Sequence, residues 1–218
     1  MRVALLGAAL LGVLVAAPAS AAPITLFSDL GPPGNVYNCC VGWTVSGEGT
    51  TGTSFTAANV FTTGAGGPVT QIDLAVGNVA QPDTFYASIW TDVGNLPGAQ
   101  VAGARWDNLA ATTTFGNCCN LVTISGIAGV SLSPGTNYFM ILGPESIRDN
   151  SYNAWNFNTV GLNTLDLYST DGGLTWTSNG SQTTGAFDVL GNQVPEPSSL
   201  MLLGIGGLLG VHRIRRRR

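Results

Sequence analysis

The sequence Phe85-Tyr86-Ala87-Ser88-Ile89-Trp90 decides the fold, because its side chains alternate with a period of two. Successive side chains of an extended strand point to opposite faces, so Phe85, Ala87 and Ile89 share one face. An apolar face of this kind predicts a β-strand that is buried on one side. The same alternation recurs at residues 72–76 and 154–158.

The segments around these strands complete the prediction of the fold. A continuous apolar run at residues 138–142 predicts a central strand that is buried on both faces. Asp171-Gly172-Gly173 separates two short strand candidates and predicts a hairpin turn. Gly- and Pro-rich clusters occur between the strand candidates, and no 3.6-residue apolar period extends over several turns. We therefore expect an all-β domain at residues 22–191, a single two-sheet, jelly-roll-like β-sandwich.

The first 21 residues have the pattern of a signal peptide. Arg2 precedes an apolar run at residues 3–17, and Ala19-Ser20-Ala21 fits the small-x-small pattern that signal peptidase recognises. A bilayer-spanning helix needs about 20 residues, which is longer than this run. Cleavage after Ala21 is therefore favoured over retention as a membrane anchor.

Residues 192–218 read as a linker and a tail. Pro195-Glu196-Pro197 precedes an apolar stretch, which predicts a hydrophobic helix at about residues 199–212. Five arginines follow it in the cluster at residues 213–218: Arg213, Arg215, Arg216, Arg217 and Arg218. Arginine favours the cytoplasmic side of a membrane, so we expect a transient inner-membrane helix whose C-terminus faces the cytoplasm.

This tail resembles the PEP-CTERM sorting signal of Gram-negative bacteria that make exopolysaccharide. The resemblance rests on Pro195-Glu196-Pro197, the short apolar helix and the arginine cluster, and it covers about the last 25 residues. It implies that exosortase, a membrane-embedded cysteine transpeptidase-like enzyme, processes the protein and removes the tail. It also implies an inner-membrane intermediate, followed by a location at the cell surface or in the extracellular matrix.

Several segments of the body resemble exported choice-of-anchor domains of the R type. These segments are Tyr86 to Gly98, Tyr152-Asn153-Ala154-Trp155, Asp171-Gly172-Gly173-Leu174-Thr175-Trp176 and Gly185-Ala186-Phe187. That resemblance implies attachment to a bacterial surface. It implies no particular chemistry, because the activity of such domains is not established.

The charge of the body excludes nucleic acid as a partner. Between the two terminal segments lie only two cations, Arg105 and Arg148, and eleven acidic residues, which gives a net charge of −9 at residues 22–194. Nucleic-acid binding requires a basic patch, and two arginines do not provide one.

The four cysteines occur as two adjacent pairs in repeated Asn-Cys-Cys triplets, Cys39-Cys40 and Cys118-Cys119. Export favours disulfides, and the repeated triplet predicts that the two segments are spatial partners. Cross-bridges between the pairs are the favoured pairing, with a vicinal bridge inside each pair as the alternative. Zinc binding and free thiols are less favoured, because zinc ligands are usually separated by two or more residues.

The body lacks the residues of common catalytic sites. The one histidine, His212, lies in the tail, which excludes Ser-His-Asp and Cys-His hydrolases from the body. The body has two glutamates, Glu48 and Glu145, which is enough for the carboxylate pair of a glycosidase, but nothing in the sequence brings them together. We expect no enzyme activity and no cofactor.

Two further ligand hypotheses stay open at this point. Asp92, Asn95 and Asp171 have oxygen ligands suited to a structural calcium ion, although turn hydrogen bonds explain such residues equally well. Five aromatic residues form a possible sugar-stacking platform, with core packing as the alternative role. They are Tyr86, Trp90, Trp106, Tyr152 and Trp155.

The sequence as a whole predicts an exported, non-catalytic cell-surface or matrix protein that is associated with exopolysaccharide or biofilm. Its expected partners are signal peptidase, exosortase and exopolysaccharide. A carbohydrate-binding module on the same sandwich is the main alternative, and a glycoside-active enzyme is the third.

Overall fold

The computed structural model describes residues 23–192, and this part of the chain is all-β as predicted. Strand accounts for 59% of it, and the helix α1 (Glu48–Thr51) is a single turn. The fifteen strands are β1 Pro23–Ser28, β2 Asn38–Ser46, β3 Thr56–Thr62, β4 Gly67–Leu74, β5 Val76–Ala80, β6 Thr84–Asp92, β7 Pro97–Ala110, β8 Thr113–Thr114, β9 Val122–Ser125, β10 Ser131–Leu132, β11 Asn137–Gly143, β12 Tyr152–Phe157, β13 Asn163–Ser169, β14 Thr177–Thr183 and β15 Phe187–Asn192.

These strands form three hydrogen-bonded sheets, where the sequence predicts two. The largest sheet has the order β14-β13-β3-β11-β6-β7. A second sheet has the order β1-β15-β4-β10, with β9 also paired to β4, and the third has the order β2-β12-β5-β8. All strand pairs are antiparallel except β5 with β8. The jelly-roll-like connection stays a prediction.

The third sheet arises at Ala75, the single residue between β4 and β5. Its N–H donates to the carbonyl of Ala186 at 3.0 Å, and its carbonyl accepts from the N–H of Asn156 at 2.8 Å. The neighbour of this chain segment therefore changes at Ala75 from β15 to β12, and the hydrogen-bonded ladder divides. The alternation of Ile72, Leu74 and Val76 continues across this point, so the sequence pattern gives no sign of the division.

One continuous core joins the three sheets. It contains Phe61 of β3, Met140 of β11, Ile72 of β4 and Trp155 of β12, all of them fully buried. The predicted buried face of β6 is confirmed, because Phe85, Ala87 and Ile89 all belong to this core and are 0% exposed. Burial on one side only is wrong, because Tyr86 and Ser88 of the other face are 8% and 0% exposed.

The opposite face of the six-stranded sheet is buried as well. Phe139 and Ile141 of β11 pack there with Tyr86 and Leu167 in a second apolar cluster. The guanidinium carbon of Arg105 lies 3.8 Å from the centre of the Tyr86 ring and covers part of it. Strand β11 is thus buried on both faces, which confirms the prediction for the apolar run at residues 138–142.

The predicted hairpin at Asp171-Gly172-Gly173 is confirmed, because β13 and β14 pair antiparallel on either side of it. The sequence predicts the second strand at Leu174–Trp176, but these residues belong to the loop, and β14 begins at Thr177. The carboxylate of Asp171 accepts hydrogen bonds from the N–H and the hydroxyl of Thr175, at 2.9 and 2.6 Å. These bonds hold residues 170–176 in a loop and delay the start of the strand.

The first and last described strands lie side by side. Strand β1 pairs with β15 from Pro23 opposite Asn192 to Ser28 opposite Asp188. Strand β15 is also bonded to β4, so both ends of the described chain are fixed in the same sheet.

In the part of the chain at residues 23–192, no helix has the length and apolar character needed to cross a membrane. The predicted signal peptide and the predicted tail helix both fall outside the described residues.

Candidate functional site

A cleft opens where the edges of two sheets face each other. Strand β2 is an edge of the four-stranded sheet, and β13 and β14 form one edge of the six-stranded sheet. The cleft has a volume of about 460 Å³. It is lined by Gly42, Trp43, Thr44, Phe55, Ala57, Asp166, Leu167, Tyr168 and Asn179.

The most buried polar residue of this cleft is Asp166, which is 1% exposed. Its Oδ1 accepts a hydrogen bond from the Asn59 amide at 2.6 Å, and its Oδ2 accepts one from the Asn179 amide at 2.5 Å. Burial raises the pKa of Asp166 to about 6, although the two amide donors act in the opposite direction. The two amides therefore fix the orientation of this carboxyl group.

Asn59 is itself held in place, which extends this network into the core. It is fully buried, and its Oδ1 accepts a hydrogen bond from the N–H of Gly185 at 2.8 Å. The Asn59 amide therefore presents its NH₂ group to Asp166 and its oxygen to the backbone. Satisfied buried networks of this kind make a site rigid.

Three half-buried aromatic residues line the cleft around this carboxyl group. Trp43 donates its indole N–H to the carbonyl of Thr183 at 3.0 Å, and its ring lies 5.0 Å from that of Phe157. The rings of Phe55 and Tyr168 lie 6.4 Å apart, centre to centre. The cleft thus combines fixed aromatic surfaces with one oriented carboxyl group.

The arrangement does not supply a pair of catalytic carboxyl groups. Asp166 is the one acidic residue among the described residues that line the cleft. Glu48 lies 3.8 Å from the Arg148 guanidinium, and Glu145 accepts a hydrogen bond from the backbone of Asn108. The two glutamates of the body thus have different partners, and neither lines the cleft.

The structure does not gather the five aromatic residues that the sequence proposes as a sugar platform. Trp155 is fully buried in the main core, and Trp106 packs against the same core. Tyr86 and Trp90 belong instead to the cluster on the other face of the six-stranded sheet. Core packing therefore explains Trp155, and the proposed platform is wrong as a single surface.

The cysteine segments are spatial partners, as the repeated triplet predicts. The N–H of Gly116 donates to the carbonyl of Cys39 at 2.8 Å, and Cys39 and Cys119 pack against the same apolar cluster. The pairing differs from the favoured one, because Cys118 is bonded to Cys119. The expected cross-bridges are therefore not formed. Cys39 and Cys40 are free, with sulfur atoms 3.7 Å apart.

The comparison with protein families concerns the tail of the protein. Residues 193–218 match the PEP-CTERM protein-sorting motif. This match includes Pro195-Glu196-Pro197 and the arginine cluster, and such a tail indicates an exported protein that exosortase processes through a membrane-anchored intermediate. No curated protein and no solved structure matches the chain significantly. The resemblance to choice-of-anchor R domains has no support among these findings.

The mature protein is expected to keep its Cys118–Cys119 bridge. Peptides that contain Cys39-Cys40 and Cys118-Cys119 should migrate separately in non-reducing peptide mapping. Changing Cys118 and Cys119 together to serine should lower the free energy of unfolding by about 1 kcal/mol or less, because the bridge closes a very short loop. Peptides that travel together until reduction would contradict this pairing.

Two aspartates face each other on the sheet that contains β4 and β15. Asp188 of β15 is paired with Asp73 of β4, and the Oδ1 of Asp188 is buried without a hydrogen-bond partner. Asp73 accepts hydrogen bonds from Thr123 at 2.5 Å and from Gln71 at 2.6 Å, so its oxygens are occupied. Burial, followed by the charge of Asp73, raises the pKa of Asp188 to about 7.

This raised pKa predicts that the free energy of unfolding falls as the pH rises. The usual pKa of the group is 3.8, so the folded state binds the proton more tightly than the unfolded chain. The stabilisation is complete below about pH 4 and is lost as the pH rises through about 7. Asp188→Asn should therefore reduce the change in the urea midpoint between pH 4 and 7. It should also raise the midpoint at pH 8.

Asp83→Asn is the matched control, because it makes the same chemical change away from β4 and β15. It should leave the pH dependence of the urea midpoint as in the wild type. An Asp188→Asn variant with the full wild-type pH dependence would assign that dependence to other groups, such as Asp29, whose pKa burial also raises to about 6.

The described residues do not form the calcium site that the sequence left open. Hydrogen bonds from Thr175 and Ser169 lower the pKa of Asp171 to about 2, and Asp92 accepts the N–H of Asn95 at 2.9 Å in a turn. Within residues 23–192, no group of three or more His, Cys, Asp or Glu side chains could hold a metal ion. Turn hydrogen bonding explains Asp92 and Asp171, and the absence of a cofactor stays a prediction.

The cleft residues were not identified from the sequence. They come from two stretches that are far apart along the chain, residues 42–57 and 166–179. One signal was available, because Asp166 lies between Leu165 and Leu167 in a strand whose acid must face either solvent or a partner. That signal indicates a special position but does not locate Trp43 opposite it.

Proposed function

We propose that this is a non-catalytic component of the cell surface or extracellular matrix of a Gram-negative bacterium, associated with exopolysaccharide. The observation that carries the proposal is the match of residues 193–218 to the PEP-CTERM protein-sorting motif. A tail that is removed after export delivers its protein outside the cytoplasm without a permanent membrane helix. The β-rich body is then the part that acts at the destination.

The composition of the body supports a non-catalytic role. The sequence between the terminal segments contains no histidine, and its charged residues are eleven acids and two arginines. The two glutamates have separate partners, and the one acid of the cleft is held by two amides. A paired-carboxylate mechanism needs two acids about 5–10 Å apart on either side of a substrate bond. Among the described residues that line the cleft, Asp166 is the one acid, and the facing pair Asp73 and Asp188 lies on another sheet.

Fractionation of cells that contain a matching exosortase tests this proposal. Mass spectrometry of the protein from the surface and matrix fraction should show Ala22 near the start and no residues after about Pro197. Enzymatic removal of the exopolysaccharide should release the protein into the medium. Changing Pro195, Glu196 and Pro197 to alanine provides the control and should retain the protein in the membrane fraction.

Two results would contradict the proposal. Recovery of intact Arg218 from the surface fraction would show that the tail is not removed. Retention of the processed protein on cells stripped of exopolysaccharide would show that it is held there by something else.

A further inference from the structure

We propose that the cleft between β2 and the β13–β14 hairpin binds a neutral saccharide. This deepens the proposed function, since it assigns a ligand class and a site to the association with exopolysaccharide. The biological setting of the site rests on that proposed function. The binding chemistry rests on the cleft alone.

The size and position of the cleft fit a sugar. Small-molecule sites have volumes of roughly 300–1,000 Å³, and this cleft has about 460 Å³. It lies where β2 and the β13–β14 hairpin border two different sheets, and the exposed Asn179 forms part of its lining.

The aromatic surfaces supply the apolar half of the recognition. One face of a pyranose consists of C–H groups with a slight positive charge, which pack against the negative face of an aromatic ring. Trp43, Phe55 and Tyr168 are half-buried and line the cleft from both sheet edges. The hydrogen bond from Trp43 to Thr183 and its contact with Phe157 fix the indole in advance, which lowers the entropy cost of binding.

Asn179 supplies the polar half, and Asp166 holds it in place. Asp166 is 1% exposed, and each of its oxygens accepts one amide hydrogen bond, from Asn59 and Asn179. Asn179 is exposed and lines the cleft, and its amide oxygen can accept a hydrogen bond from a sugar hydroxyl.

The charge of the cleft selects a neutral sugar over an acidic one. Neither Arg105 nor Arg148 lines the cleft, and the body has a net charge of −9. A uronic acid or a phosphorylated sugar would approach the buried Asp166 carboxylate without a compensating cation in the lining. Repulsion of like charges therefore excludes anionic saccharides.

Titration of the full-length protein tests the assignment. The protein should be kept in a polyoxyethylene detergent, which carries neither a sugar nor an ammonium group. The probes are neutral oligosaccharides of glucose, galactose and mannose, a uronic acid oligomer, and choline. Calorimetry and tryptophan fluorescence should show saturable binding of at least one neutral oligosaccharide, and none of the uronic acid oligomer.

Matched variants locate the binding. Tyr168→Ala should lower the affinity for the neutral oligosaccharide by about tenfold or more, as expected for loss of an aromatic anchor. Tyr152→Ala removes another half-buried tyrosine outside the cleft and should leave the affinity unchanged. Asn179→Ala should weaken binding, whereas Asn163→Ala, at an exposed position that does not line the cleft, should not.

Several results would overturn the assignment. These are the absence of binding to every neutral oligosaccharide, equal affinity in Tyr168→Ala and Tyr152→Ala, or binding of choline in preference to sugars. Choline is the relevant competitor because aromatic rings beside a carboxylate also suit quaternary ammonium ions. A processed surface protein that binds no sugar would overturn the cleft assignment, whereas sugar binding by a protein that stays unprocessed would contradict the proposed function instead.

Discussion

Trp155→Ala is expected to destabilise the body by about 3–5 kcal/mol, the range for removing a large aromatic side chain from a core. The indole is 0% exposed, donates to the carbonyl of Ala186 at 3.2 Å and lies 5.6 Å from the Phe187 ring. Gly185 lies directly against it without a side chain, so no neighbour there can fill the cavity. Urea unfolding followed by circular dichroism measures the loss.

Trp106→Ala is the control for this variant, because Trp106 lies half-exposed on β7 at the edge of the six-stranded sheet. It should lose clearly less stability than Trp155→Ala, because the Trp106 side chain is already partly exposed to solvent. Equal losses in the two variants would mean that burial does not determine the contribution of these tryptophans.

Replacing the five tail arginines with serine is expected to abolish normal sorting. The change removes Arg213 and Arg215–Arg218, five positive charges that would lie at the inner face of the membrane. The predicted tail helix should then lose its preferred orientation, and the protein should accumulate unprocessed. Immunoblots of fractionated cells, with mass spectrometry of the protein termini, give the measurement.

Arg105→Ser and Arg148→Ser together provide the control, because they remove the two cations of the body and leave the tail intact. That double variant should be processed like the wild type. Normal processing of the five-serine variant would mean that Pro195-Glu196-Pro197 and the apolar stretch are sufficient.

The individual strands could be predicted from the sequence because burial leaves a local pattern. The alternation of Phe85, Ala87 and Ile89 and the apolar run at residues 138–142 both mark strands of the structure, although β6 is buried on its second face as well. The sheet count could not be predicted in this way. Alternation records which side of a strand is buried, and it does not record that the hydrogen-bond partner changes at Ala75.

The cleft was beyond prediction for a related reason. Trp43 and Asp166 are separated by more than half of the described chain, and they meet because two different sheets end at the same place. Local periodicity carries no information about which edges become neighbours. The tail is the opposite case, because its signal is contained in about 25 consecutive residues and could be recognised without a structure.

The pairing of β1 with β15 makes the body suitable for circular permutation. Pro23 and Asn192 are opposite each other in neighbouring strands, so a short linker could join them without disturbing the sheet. New termini could open at Gly94 and Asn95, which are exposed in the turn between β6 and β7. The connectivity of this body is therefore separable from its packing.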